Sequence, residues 1–492
     1  MRNLEVFAVA ALFAGHGIAT CNILTPKGLE AKIKTEELER NLYNLDRIAK
    51  EHGGNRAFGS PGYEASSDYV LERAKTRFGP EYDTTVQYFD HLYSEVREIS
   101  LTGPDGESVD VITLIYNPGT DDGPVKAPLI DTPVDDARGS ACFEDQWAGI
   151  DATGKIALVK RGSCAIADKL RLAKAHGASA VILYHNLATP PNSATLGAES
   201  YGQIPPVATV PMAVGQAWKA RLAAGEEVVV ELFIDALFEE RKSWNIIAET
   251  KEGDPDNVVM LGAHLDSVQA GAGINDDGSG TSVLMEIMTE LRYYKGYPNK
   301  VRFAWWGAEE SGLVGSLYYT SSLTPEEADR IRFYFNYDMV GSPNAEYQIY
   351  LGDNEGDEVG AAKLVAHLQA AGKPAYYIDF GESSDYVGFL ELGIPASGIF
   401  TGAGAPTDPC YHLACDVLGN VNLDAMTANA KAAAHVAAEF ALSLDGVPRR
   451  RADSSVNPRS RNAVRAQFLK WRRAADAAAT RKSCSHTGDG MI

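Results

Sequence analysis

The sequence predicts an α/β fold, with a mostly parallel, mixed central sheet flanked by helices and an inserted, smaller α+β domain. Three observations predict it. Short apolar runs alternate with helical stretches over the second half of the 492 residues. A block from about 111 to 238 has a strand–helix–strand grammar of its own. Polar residues gather just beyond the apolar runs, which is where open parallel sheets place their sites.

In chain order, residues 6–14 are nine apolar residues, too few to span a bilayer and the length of a signal-peptide core. With Arg2 before them and Gly17-Ile18-Ala19 after, residues 1–19 read as a secretory signal and 20–35 as a possible pro-segment. Leu38, Leu42, Leu45 and Ile48 recur at helical spacing over 36–49, and a second helical run covers 64–75. Inside the block, strands are expected at 155–160 and 179–184 around a helix at 166–176. Beyond it, strands are expected at 245–249, 257–262, 300–306, 332–336, 347–351 and 375–380, with helices at 280–294 and 359–371. A last helix, 423–443, stops at Asp445-Gly446-Val447-Pro448. Residues 36–110 and 239–446 should therefore form one domain and 111–238 the insertion, leaving 447–492 as a basic tail without a fold.

The charge supports this division and excludes partners. Acidic residues number 66 and basic residues 45, for a net −21. The tail from Arg449 holds eleven Lys or Arg against three Asp, which leaves about −29 on the rest. Such a field repels nucleic acid and anionic membranes. Of six cysteines, Cys142 with Cys164 and Cys410 with Cys415 are close enough in sequence to be disulfide candidates in a secreted chain. Free thiols in a cytosolic chain are the alternative.

Five segments carry chemistry. His264 and Asp266 stand two apart at the end of the strand at 257–262 and face one side, a spacing that suits a ligand and its orienter. The glycine-rich loop around Asp276 and Asp277 lacks the lysine of a phosphate cradle, so it fits a cation better. Glu309 and Glu310 follow an apolar strand and could divide metal binding from proton handling. Asp338 ends another strand, and His412 lies between Cys410 and Cys415. Each segment alone also fits a structural role, as a helix cap or a hydrogen-bonded histidine. Together they supply the nitrogen and oxygen ligands of a two-zinc site with open positions. No His-Glu-x-x-His or Gly-x-Ser-x-Gly pattern points to other hydrolases.

These motifs resemble those of the M28 zinc aminopeptidases, as do Gly262-Ala263-His264-Leu265-Asp266-Ser267 and Asn336-Tyr337-Asp338-Met339 in full. The block resembles a protease-associated (PA) domain through Gly154-Lys155-Ile156-Ala157 and Gly177-Ala178-Ser179-Ala180. The resemblance implies a zinc-peptidase fold and two zinc ions per chain. His264 and Asp338 would bind one, Glu310 and His412 the other, and Asp276 would bridge them. It further implies Glu309 as proton shuttle to a zinc-bridging water, Asp266 as orienter of His264, Tyr411 on the scissile carbonyl, a cis Asp276–Asp277 peptide, and pairing of Cys410 with Cys415. The substrates it implies are peptides or proteins with a free N-terminus and a leucine-like first residue, cleaved by a secreted or vacuolar monomer. A glutaminyl cyclase, a carboxypeptidase and a non-catalytic binding ectodomain share the scaffold. One departure stands out: relatives carry Gly-Arg-Ser-Asp where this chain reads Gly381-Glu382-Ser383-Ser384-Asp385, with Ser383 in place of the arginine.

Overall fold

The computed structural model describes residues 22–188 and 194–450. The expected signal segment, Cys21, Cys484 and the tail beyond Arg450 lie outside the described residues.

Strand β1 (Asn22–Ile23) leads into helix α1 (Pro26–Glu30), which starts with a Thr25 cap and a first-turn proline. Leu24, Leu29 and Ile33 are buried in the main core, so the stretch expected as a possible pro-segment packs into the body of the molecule. Helix α2 (Thr35–Glu51) buries Leu38, Leu42, Leu45 and Ile48, as their spacing predicts. Helix α3 (Pro61–Leu71) begins earlier than expected because Ser60 caps it and Pro61 fits its first turn. It ends in a π-helical turn, Glu72–Arg77.

Strand β2 (Tyr82–Thr102) leads into the insertion, made of β3 (Val125–Asp131), β4 (Ile156–Lys160), α4 (Ile166–Ala175), β5 (Ala180–Tyr184), β6 (Val207–Val210) and α5 (Met212–Ala223). Strand β7 (Val229–Thr250) leads back, antiparallel to β2 from Tyr82↔Thr250 to Thr102↔Glu231. This ribbon crosses the expected domain boundaries. Leu101, Leu232 and Ile234 pack with Leu158 and Ile182 of the insertion, while Ile246 and Ala248 pack in the main core. The junction therefore falls in mid-ribbon. Only the 245–249 part of β7 stands out in the sequence, because exposed polar residues blur the alternation of both strands.

The main body continues with β8 (Asp254–His264), α6 (Gly278–Leu291), β9 (Tyr294–Lys295), β10 (Asn299–Trp306), α7 (Val314–Ser322), α8 (Pro325–Arg330) and β11 (Ile331–Tyr337). It closes with β12 (Gln348–Tyr350), α9 (Asp357–Ala370), β13 (Tyr376–Ile378), α10 (Val387–Glu391), β14 (Ala396–Phe400) and α11 (Leu423–Leu442). The sheet runs β13-β12-β14-β11-β8-β10-β7, and β14, β11, β8 and β10 are parallel. Side chains alternate across it: Val259, Leu261 and Ala263 face the core shared with α2, α6 and α11, and Met260 faces Trp306, Tyr334 and Phe389. Of the expected tail, Val447 is buried and Arg450 pairs with Asp329 at 2.6 Å.

Candidate active site

Strands β8, β10 and β11 are adjacent and parallel, so their carboxyl ends bring His264, Glu309, Glu310 and Asp338 to one edge of the sheet. The loop before α6 adds Asp276, and the loop after β14 adds Tyr411 and His412. Asp276 joins the two histidines: its Oδ1 is 3.1 Å from His264 Nε2 and its Oδ2 is 3.1 Å from His412 Nε2. Asp338 Oδ1 lies 3.7 Å and Glu309 Oε2 3.9 Å from His264 Nε2. Glu310 Oε2 lies 3.0 Å from His412 Nε2. All six residues converge.

The backbone is bent to aim them. Ala308, Met339 and His412 have φ of 58°, 50° and 59°. A non-glycine residue in this left-handed region costs about 1–2 kcal/mol. Two of these positions adjoin Glu309 and Asp338, and the third is a site residue. The disulfides Cys410–Cys415, which brackets Tyr411 and His412, and Cys142–Cys164 are both formed. The Asp276–Asp277 peptide is cis.

Asp266, expected to orient His264, touches both that imidazole and the two glutamates. Its carboxylate accepts from the Glu309 and Glu310 amides at 3.0 and 3.3 Å, and stands 3.8 Å from His264 Nδ1. The carbonyl of Asp266, at 3.1 Å, is what faces His264 Nδ1. The side chain thus bonds to the two glutamate amides, and the main-chain carbonyl contacts the imidazole. The turn after His264 brings that carbonyl round, which the alternation of a straight strand does not reveal.

Several residues support the site through contacts that the sequence does not signal. Asp277 accepts from the amides of His264 (3.2 Å), Gly280 (2.8 Å) and Met339 (3.1 Å), tying three elements together. Asp416 accepts from the amides of Asn275 at 2.8 Å and Asp276 at 3.0 Å. Ser384 donates to Asp338 Oδ2 at 2.6 Å and accepts from Asn336 at 2.9 Å. Ser383, the position where the family resemblance leads one to expect arginine, stands 3.4 Å from the Tyr386 hydroxyl. Arg56, fully buried, donates to the carbonyls of Leu265, Ala272 and Gly273 beneath the site.

The electrostatics call for a cation. Burial pushes Glu309 well above the usual carboxylate range, Asp266 to about 7 and Asp385 to about 8. Burial acts on Asp276 as well, but hydrogen bonds from both imidazoles hold it below its ordinary value. Asp338 Oδ1 and Glu310 Oε1 are buried without a hydrogen-bond partner. Within each of two groups, His264–Asp276–Glu310 and His264–Glu309–Asp338, one donor atom per residue lies within 4.8 Å of the others. Imidazole and carboxylate donors with unsatisfied oxygens fit zinc. Tyr411 stacks on His412 with ring centroids 3.8 Å apart, and burial raises its pKa well above 10, so its hydroxyl stays a donor.

Two cavities meet here. A small one of about 90 Å³ is lined by Asp276, Glu309, Asp338, Met339, Phe400 and Tyr411. A larger one of about 410 Å³ opens on the Glu310 and His412 side, between Val111 and Leu114 of the insertion and Phe58 and Val268 of the main body.

A fold with carboxylates and imidazoles at the ends of parallel strands, and an inserted domain beside them, defines a metallopeptidase class. Comparison with known proteins agrees: residues 245–437 match the model of peptidase family M28, and residues 125–218 match the PA domain. The chain is 37% identical to aminopeptidase Y of Saccharomyces cerevisiae over 89% of this chain and 84% of that one. It is 34% identical to a probable leucine aminopeptidase 2 of Aspergillus oryzae over 92% and 93%. Among solved structures, an aminopeptidase from Aneurinibacillus sp. strain AM-1 superposes with a TM-score of 0.72 at 28% identity, covering 87% of this chain and 99% of that one. A zinc aminopeptidase from Bacillus subtilis superposes at 0.64 and 25% identity, covering 82% and 94%. The chain belongs to peptidase family M28, and it is an aminopeptidase of that family with an inserted PA domain.

Proposed function

We propose that this aminopeptidase works with two zinc ions and removes large apolar residues, leucine first, from peptides with a free N-terminus. His264 and Asp338 would hold one ion, Glu310 and His412 the other, with Asp276 shared between them. The observation that carries this reading is Asp276, which offers one oxygen to each imidazole at 3.1 Å. The Bacillus subtilis relative, described as a zinc aminopeptidase, supports the choice of metal.

Zinc bound there supplies an acidified water and a polarised carbonyl. The remaining work falls to the chain. Glu309, buried and with a pKa raised by that burial, takes a proton from the water and returns it to the leaving amine. Asp266 holds Glu309 and Glu310 in place through their amides. Tyr411, kept protonated by burial, donates to the scissile carbonyl oxygen. Glu309 and Asp338 line the small cavity and suit an α-ammonium group, while the larger cavity takes the rest of the peptide. Both disulfides fit an oxidising compartment, and hence a secreted or vacuolar enzyme.

The test is hydrolysis of a panel of amino-acid p-nitroanilides. The leucine derivative should be cleaved fastest, a chelator should abolish activity, zinc should restore it, and metal analysis should find two zinc ions per chain. Equal cleavage of N-acetylated and free peptides would refute the reading.

A further inference from the structure

A second group of nitrogen and oxygen donors lies on the helical side of the sheet, where α1, α9 and α11 meet. Glu30 ends α1, His367 is in the last turn of α9, and His435 lies within α11. Glu30 Oε2 is 2.8 Å from His435 Nδ1, and Glu30 Oε1 is 3.5 Å from His367 Nε2. The imidazole centroids are 4.5 Å apart with the rings inclined at 42°. One donor atom from each of the three residues lies within 4.8 Å of the other two. The side chains are 17–27% exposed, so an ion could enter and still be largely covered.

Hydrogen bonding explains one of these contacts and not the other. Glu30 and His435 are at normal hydrogen-bond distance. His367 stands at 3.5 Å, long for a hydrogen bond but close to the ~3.4 Å separating two ligand atoms of one tetrahedral zinc with bonds of ~2.0–2.1 Å. Two histidines and one carboxylate from three different helices form a donor set that zinc accepts, with a fourth position left for water. The surroundings also fit. The other nitrogen of His435, Nε2, faces Glu439 Oε1 at 3.6 Å, and Glu439 is held by Lys363 at 3.0 Å. At 3.6 Å this carboxylate is a charge neighbour of the imidazole, on the side where a metal-bound histidine commonly has one.

We propose that Glu30, His367 and His435 form a further binding site for a divalent transition-metal ion, zinc foremost, separate from the strand-end site. Its role is structural: it staples the N-terminal helix to α9 and α11. None of the three residues lines either active-site cavity.

Full-length wild type, His367→Ala and His435→Ala, equilibrated at the same free zinc, test this. Each variant should carry one zinc fewer per chain than wild type, whatever number the catalytic centre holds, with leucine p-nitroanilide hydrolysis within about twofold. Added zinc should raise the Tm of wild type by at least ~2 °C more than that of the variants. Equal metal content in wild type and variants overturns the site. Should a variant fail to fold, crystals of wild type grown with zinc decide: an anomalous peak about 2 Å from the three donor atoms supports the proposal, and its absence refutes it. Because the readout is a difference in zinc count, a wrong mechanism at the strand ends leaves the result interpretable.

Discussion

At one end of the β2–β7 ribbon, the parallel strands β3 to β6 run into hydrogen-bonded loops. At the other, β8, β10 and β11 run into carboxylates and imidazoles. Both bodies bury polar side chains, but they treat them differently. In the insertion, Asn117 donates to the carbonyl of Val207 at 2.7 Å and accepts from its amide at 3.1 Å. Gln146 accepts from two amides and donates to the Gly139 carbonyl at 2.8 Å. Among the described residues, the insertion buries no Asp or Glu, and the buried atoms it leaves without a partner are Trp147 Nε1 and Thr209 Oγ1. In the main body, six of the described carboxylates each leave one oxygen open: Glu310, Asp338 and Asp385 around the site, and Asp46, Glu286 and Glu391 elsewhere. A parallel sheet thus offers a place for chemistry at its strand ends, and acceptors left unsatisfied at a stability cost turn that place into a site.

The largest expected effect tests that contrast at its centre. Glu309→Gln keeps the shape of the side chain and removes its capacity to carry a proton. It should lower kcat by about 10²–10⁴-fold with little change in KM or zinc content. Loss of zinc in place of loss of turnover would make Glu309 a ligand, a role its 3.9 Å approach to His264 Nε2 also permits.

Next in size is Arg56→Met. Arg56 sits under the acidic cluster, and replacing it strands three buried carbonyls beside Asp266, Asp276, Asp277 and Asp416. A destabilisation of about 3–5 kcal/mol is expected by denaturant titration. The buried cation of the insertion, Lys169, is already pushed down to about 8 by burial and donates to the carbonyl of Ser140. Lys169→Met should therefore cost clearly less, and equal losses would erase the contrast.

Much of this was readable in the sequence, for identifiable reasons. The strands at 257–262, 300–306 and 332–336 are buried on both faces, so they appear as continuous apolar runs, and their ends mark the site. Strand β14 was missed because Ser397 and Gly398 interrupt its apolar run. Gly398 is there for close approach: a Cβ on it would come within 2.1 Å of the Asn336 carbonyl oxygen. Arg56 gives no signal, since a lone arginine in a loop carries no period. The supporting contacts of Asp277 and Ser384 are hidden because their partners lie up to 62 residues away. Spacing along the chain exposes ligands at strand ends, and it does not expose the residues that hold them.

The smallest effect concerns pH, where the two bodies should respond with opposite sign. In the main body, burial, with Glu290 and Glu37 nearby, raises Glu286 to about 7. Between an unfolded value of about 4.3 and about 7, the folded chain holds a proton that the unfolded chain has lost, so this contribution to stability falls as pH rises. In the insertion, burial, with Arg161 beside it, lowers His185 to about 4. Arg161 donates to His185 Nε2 at 3.0 Å, and an arginine has no lone pair to give back, so the ring must be neutral there. Between about 4 and about 6.5 the unfolded chain binds the extra proton, so this contribution grows with rising pH and is lost on acidification. Glu286→Gln should raise the Tm at pH 8 and leave it unchanged near pH 4. His185→Gln should soften the acid-side loss of the insertion, read as slower limited proteolysis there at pH 4.5, by the equivalent of about 1–3 °C in Tm. Parallel pH profiles for the two variants would refute the contrast, because each group's linkage keeps its own sign even when both bodies unfold as one unit.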